Sequence, residues 1–300
     1  MTILGSSAAT PTRERGLPAV ALERNGELIL FDCGEGTQRQ MMLSRLSRLD
    51  PSKILITHQH GDHVLGLFGL LLSMAMHDRK SPLHIVAPNS VKDLLECVMK
   101  KTEAKIPYDI IFTKVSEGTV IKGRDYKIRA KKAEHHGEAY CYRLDENMRP
   151  GVFYPEKARA LGIPEGPLWH RLHVGKKIKH NGKVVLPSEV TGPKRRGRSF
   201  GYSGDTRVTA KLVNFFKGVD LLVFDSTYTE QFKKEAMLYG HSTASQAAKL
   251  AMKAGVKKLI LTHVSARVSD EEHLLNEAKE FHQNVYVAKD FDSFDIPFPE

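Results

Sequence analysis

Within six consecutive residues, His58-Gln59-His60-Gly61-Asp62-His63, the chain carries four side chains that can bind a metal ion. The run follows the apolar stretch Ile54-Leu55-Ile56-Thr57 and precedes a helical pattern beginning at Val64. From such a position a strand hands rigidly held side chains to one edge of a sheet. Imidazole nitrogens with a carboxylate oxygen suit Zn²⁺, and a short loop can aim alternate side chains at two neighbouring ions. Each ion of a hydrolytic pair needs about three protein groups and an open position for water, so more ligands must come from elsewhere. The candidates are His135 after the β-like run 126–131, Asp205 after a strand in Gly204-Asp205-Thr206, and His263 after the run 259–262. Taken singly, a histidine behind a strand is more often a satisfied loop side chain. Together and in this order, these residues predict a two-metal centre.

Short β-rich runs at 27–31, 53–57, 200–203, 221–224 and 258–262 end in polar or glycine-rich loops. Helical patterns at 64–77, 90–101, 241–253 and 270–281 lie between them, the third opened by the capping sequence HSTAS. The alternation predicts an α/β protein with layered sheets and covering helices. Between 148 and 198 the periodicity fades, and Pro150, Pro155, Pro164, Pro167, Pro187 and Pro193 interrupt the chain. That stretch reads as an inserted basic flexible arm within a single domain spanning 1–300, with clusters at Lys176, Lys177, Lys179 and at Lys194, Arg195, Arg196, Arg198.

Lysine and arginine number 45 against 35 aspartates and glutamates, a formal charge of +10 that favours polyanionic partners through counterion release. Three cysteines, Cys33, Cys97 and Cys141, are an odd count without zinc-ribbon spacing. They argue against a disulfide framework and for a reducing compartment. The N-terminus does not read as a signal peptide, and the apolar run 64–76 is too short to cross a bilayer. A cytoplasmic protein without membrane association is the expectation.

The order HxHxDH, His, Asp, His resembles the metallo-β-lactamase superfamily, which implies a four-layer αβ/βα sandwich with the metals at one edge. Within it, PTRERG (11–16), FDCGEGTQRQ (31–40), HHGEAYCYR (135–143), GYSGDTR (201–207), HSTASQAA (241–248) and LTHVSAR (261–267) resemble the short form of the tRNase Z family. The resemblance spans nearly the whole chain. It implies two zinc ions per chain, with manganese or iron acceptable to the same donors. His58, His60 and His135 would hold one ion, Asp62, His63 and His263 the other, and Asp205 would bridge both. His135 is preferred over His136 because Ala139 and Tyr140 follow it at the family's spacing. Cys141 departs from the glycine usual between the two aromatic residues.

The same resemblance implies a reaction and a partner. The expected activity is endonucleolytic removal of the 3′ trailer from precursor tRNA, by a water activated between two cations. The product carries a 3′-hydroxyl for CCA addition. Asp62 is expected to orient or deprotonate the water, and His241 to donate a proton to the leaving oxygen. Asp32 is expected to orient ligand imidazoles from behind. The insert is expected to grip tRNA phosphates through Lys176, Lys177 and Lys179, with Trp169 packing or stacking, in a homodimer. Arg13 and Arg15 become candidates for sensing the tRNA 3′ end, and no DNA substrate is expected.

Two other readings compete. A hydrolase of small phosphodiesters or thioesters would use the same centre, and the basic insert argues against it. A catalytically silent RNA-binding module would not need the complete ligand set. The interval between Asp205 and His263 is too short for the extra domain of a β-CASP nuclease.

Overall fold

In a strand covered on both faces, alternate side chains must fill two different cores. In Glu27–Phe31, Leu28 and Leu30 pack with Leu67, Leu70, Leu71 and Met74 of the helix Gly66–Met76. Phe31 faces the other way, its ring 5.1 Å from Phe200 and 5.7 Å from Tyr202. In Leu221–Asp225, Leu222 and Phe224 pack with Ala247, Ala248 and Ala251 of the helix Ala244–Ala254. The aromatic residues Phe31, Tyr142, Phe200 and Tyr202 thus form the seam between two sheets, and helices cover each sheet on its outer side.

The computed structural model describes residues 1–46, 50–268 and 270–299. One sheet has six strands in the order Thr2–Gly5, Ala19–Arg24, Glu27–Phe31, Lys53–Leu55, Leu83–Ala87, Ile110–Lys114. Its last four strands pair in parallel. The other has seven, in the order Val285–Val287, Lys258–Thr262, Leu221–Asp225, Ser199–Tyr202, Tyr140–Glu146, Tyr126–Lys132, Gly118–Lys122, and its first four are parallel. This is the four-layer αβ/βα sandwich expected. Parallel strands all point their carboxyl ends at the same edge, where ligand sites of such sheets lie. Asp32, His58, Asp205, Asp225 and His263 all follow or end parallel strands there.

The predicted helix 241–253 begins later, at Ala244, because Thr243 is its N-cap and closes a capping box with Gln246. His241 is thereby left outside the helix. The pattern at 64–77 begins earlier, with a short helix Gly61–Val64 before Gly66–Met76. The close seating of this segment depends on Gly66, where an added Cβ would lie 2.0 Å from the Gly34 carbonyl oxygen.

The insert predicted as an irregular arm is built of regular elements. Arg124–Tyr126, Asp145–Arg198 and the residues from Pro297 onward form a second compact unit. It contains the helices Pro155–Ala160, Pro167–His173 and Pro187–Val190 and the hairpin Ile178–His180 with Lys183–Val185. Ala158, Ile163, Leu172, Ile178, Val185 and Val190 are its core, flanked by Phe153, Leu168 and Trp169. Three of the prolines that interrupt the periodicity are first residues of helices, where a missing N–H costs nothing. Trp169 packs rather than stacks outward: its Nε1 donates to the Ile163 carbonyl at 3.0 Å, and its ring lies 5.3 Å from Phe153.

Gly66→Ala is expected to cost on the order of 1–3 kcal/mol or more through the clash with Gly34. Urea denaturation should show a lowered midpoint, and an unchanged midpoint would contradict the close packing described.

Candidate metal centre

Asp32 sits one residue beyond its strand, fully buried and in the left-handed region at φ 56°. Its carboxylate accepts from the Thr57 amide at 2.7 Å, from the Thr57 hydroxyl, from Tyr202 Oη at 2.8 Å and from His63 Nδ1 at 2.8 Å. A hydroxyl has one proton. Since Thr57 gives its own to Asp32, it must accept from His58 Nδ1, 2.9 Å away. Asp32 therefore fixes the tautomer of two histidines, His63 directly and His58 through Thr57.

Asp225 repeats the device at the other side of the centre. It accepts from the Thr206 amide, from the Thr227 amide and hydroxyl, and from His241 Nδ1 at 2.9 Å. The Thr227 hydroxyl in turn accepts from His263 Nδ1 at 2.9 Å. His135 Nδ1 donates to the Gly240 carbonyl at 2.9 Å. Gly240 has φ 75°, and a Cβ there would press to 2.8 Å from that ring nitrogen, so glycine is required on both counts.

Each of His58, His63, His135 and His263 thus uses its Nδ1 proton behind the site and turns Nε2 inward. Around Asp205, 3% exposed, stand His63 Nε2 at 3.2 Å and His263 Nε2 at 3.3 Å from Oδ1. His58 Nε2 at 3.6 Å and His135 Nε2 at 3.9 Å face Oδ2. His60 Nδ1 lies 2.9 Å from His58 Nε2 and 3.3 Å from His135 Nε2. Asp62 Oδ2 is 3.4 Å from His263 Nε2 and 3.6 Å from His63 Nε2, and it accepts from the Ala9 amide at 3.0 Å. Two groups, His58, His60, His135, Asp205 and Asp62, His63, Asp205, His263, each have ligand atoms within 4.8 Å of one another. They are the two sets expected, with Asp205 common to both.

These residues fit divalent ions. Lone pairs and carboxylate oxygens converge on each other, and the buried His63 Nε2 and Asp205 Oδ1 have no hydrogen-bond partner. Such acceptors are costly to bury together unless a cation lies between them. Donors held at about 2.0–2.2 Å from one ion lie within roughly 4.4 Å of each other, and the His–Asp205 separations of 3.2–3.9 Å satisfy that. Burial lowers the pKa of His58, His60 and His135, keeping their lone pairs available. Burial also opposes charge on His63, but the carboxylates of Asp205 and Asp32 outweigh it and raise that pKa, so this corner attracts positive charge.

A third grouping, Asp205, Asp225, His241 and His263, is comparably close. Both oxygens of Asp225 are already accepting, so this group reads as a hydrogen-bond network. Burial works to lower the pKa of His241, and Asp225 reverses this and pushes it up to about 9. The Asp225 partnership was missed in the sequence, although the strand ending in Asp-Ser-Thr was visible. His136 turns away to the Leu238 carbonyl.

Arg13 is exposed, whereas Arg15 is buried and engaged. The Arg15 guanidinium donates to Ser6 Oγ, to the Ala288 carbonyl and to Glu271, so it braces the N-terminal loop and does not reach out to substrate. Lys176, Lys177 and Lys179 are exposed on the second unit. Among the described residues, no helix is long and apolar enough to cross a membrane. Cys33 and Cys141 are buried, and burial pushes the Cys33 thiol up to about 12.

The paired ligand clusters at the edge of a double-sheet sandwich define a class, and comparison agrees. Residues 15–148 match the metallo-beta-lactamase superfamily, and residues 174–264 match the beta-lactamase superfamily domain; with the His/Asp cluster, this indicates divalent metal use. Ribonuclease Z of Nitrosopumilus maritimus is 42% identical over 296 residues, covering 99% of both chains. Ribonuclease Z of Archaeoglobus fulgidus is 40% identical, over 100% of this chain and 98% of that one. The crystal structure of human tRNase Z, short form, superposes with a TM-score of 0.71 at 25% identity, covering 99% of each. The chain belongs to the ribonuclease Z family.

Thr57→Val or Thr227→Val keeps shape but cuts one relay. Either is expected to weaken metal affinity roughly 10–100-fold, read by competition with a chromophoric chelator. Unaltered affinity would contradict the role given to the relays.

Proposed function

We propose that the protein is a two-zinc endoribonuclease that removes the 3′ trailer of precursor tRNA, leaving a 3′-hydroxyl. The observation that carries this reading is the doubled ligand cluster sharing Asp205, in a chain about 40% identical over its whole length to proteins named ribonuclease Z. His58, His60 and His135 would hold one ion, Asp62, His63 and His263 the other, with Asp205 between them. Bound there, the ions supply charge against the phosphoryl oxygens and lower the pKa of the attacking water.

The protein's own groups do the rest. Burial works against the charge on Asp62, yet the His263 hydrogen bond and the neighbouring imidazoles outweigh it and keep the pKa low. The carboxylate is therefore available to orient the water. His241, held by Asp225, keeps Nε2 for the substrate and gives its proton to the departing 3′-oxygen. Asp32 holds His63 and, through Thr57, His58 in line. On the second unit, Lys176, Lys177 and Lys179 bind tRNA phosphates, and Arg13, exposed on the N-terminal loop, senses the tRNA 3′ end. Arg15 keeps that loop in place. The enzyme works in the cytoplasm as a homodimer, a pairing supported by exposed Met42, Leu43, Leu65 and Met76 on and beside the helices Thr37–Leu43 and Gly66–Met76. A small-phosphodiester hydrolase is not favoured by the comparisons.

Incubating a trailer-bearing precursor tRNA with the protein should give one cut with a 3′-hydroxyl end on sequencing. Chelator should abolish it and zinc restore it. Asp205→Ala should lose cutting while still binding RNA, and chelator-resistant or scattered cutting would overturn the reading. Replacing Lys176, Lys177 and Lys179 with alanine should weaken precursor binding and flatten its log–log salt dependence by about 0.7–0.9 for each phosphate no longer neutralised. An unchanged slope would remove the second unit from the RNA interface.

A further inference from the structure

A cavity of about 440 Å³ adjoins His241, with Glu134, Arg207, Val208, Lys233 and Met237 in its lining. Its volume falls within the roughly 300–1,000 Å³ of small-ligand sites. None of these five side chains is needed to hold a metal, and the hydrolytic mechanism does not use them. The chemistry of the wall is divided. Val208 and Met237 supply apolar surface, and Met237 is 63% exposed at the end of a helix that also exposes Leu238 and Tyr239. Such a run of open apolar side chains beside a polar centre marks a binding surface. The rim is charged but balanced, with Arg207 3.1 Å from Glu134 and Lys233 2.6 Å from Glu230. A free phosphate would find each cation already shared with a carboxylate. A group with an apolar face and polar edges fits better, since Val208 and Met237 line the cavity together with Arg207 and Glu134.

The position of the cavity selects which such group. His241 presents Nδ1 to Asp225 and lines the cavity, and in the proposed reaction its Nε2 carries the proton for the leaving oxygen. The attacking water gives one proton to the Asp62 carboxylate as its oxygen bonds to phosphorus, the bond from phosphorus to the 3′-oxygen breaks, and that oxygen leaves with the proton of His241. The nucleoside carrying the leaving oxygen must then lie against His241. We propose that this cavity is the subsite for the nucleoside immediately 5′ of the cleaved bond, with its base on Met237 and Val208 and its polar edge toward Arg207 and Glu134. The assignment rests on the precursor-tRNA reading.

The test is a coupling measurement on the full-length zinc-loaded enzyme. Precursor tRNAs carrying either the natural nucleotide or an abasic residue directly 5′ of the cut are cleaved by the wild type, Met237→Ala and Met237→Leu. Removing the base should lower kcat/KM about tenfold in the wild type, the scale of a single packed base. The penalty should shrink below about threefold in Met237→Ala and return in Met237→Leu. An equal penalty in all three enzymes, or a coupling that appears only for an abasic residue 3′ of the cut, overturns the subsite. Failure of the wild type to cut the natural precursor is a separate result that removes the parent reading itself.

Discussion

Two buried carboxylates set the chemistry of this protein before any ligand arrives. Asp32 and Asp225 each grip one histidine directly and a second through a threonine hydroxyl that has a single proton to give. The consequence is that His58, His63 and His263 have no choice of tautomer, and their Nε2 lone pairs meet around Asp205. Packing such acceptors together without a proton or cation between them is strongly unfavourable. The fold tolerates it only because the seam of Phe31, Phe200, Tyr142 and Tyr202 and the parallel strands hold the loops rigidly at one edge.

The residues of the two clusters were legible in the sequence because their signals are short-range. HxHxDH is local, and His135, Asp205 and His263 each follow a recognisable strand, so the sheet topology does the gathering. Asp225 was not legible as a partner. It ends a strand in Asp-Ser-Thr, a pattern that ordinary turns share, and its contact to His241 crosses 16 residues and arises only when Thr243 starts the helix late. Arg15 misled for the converse reason: an arginine in a loop reads as exposed, and only the folded chain brings Ser6, Ala288 and Glu271 around it.

The insert shows a different limit. Proline counts against periodic structure when it is read as an interruption, yet Pro155, Pro167 and Pro187 open helices. Helices of six, seven and four residues are too short to show a hydrophobic period, so the small core of Ala158, Ile163, Leu172, Ile178, Val185 and Val190 emerges only in three dimensions. A folded unit carries Lys176, Lys177 and Lys179 on a hairpin and its approach, and a folded unit loses less entropy on meeting any partner than a loose chain would.

The central claim is that the converging lone pairs hold two cations on either side of Asp205. Anomalous diffraction at the zinc edge, from crystals of protein purified without chelator, tests it most directly. The account predicts two peaks, one within bonding distance of His58, His60 and His135, the other of Asp62, His63 and His263, with Asp205 reaching both. A single peak, or zinc bound at the Asp225–His241 pair, would contradict it.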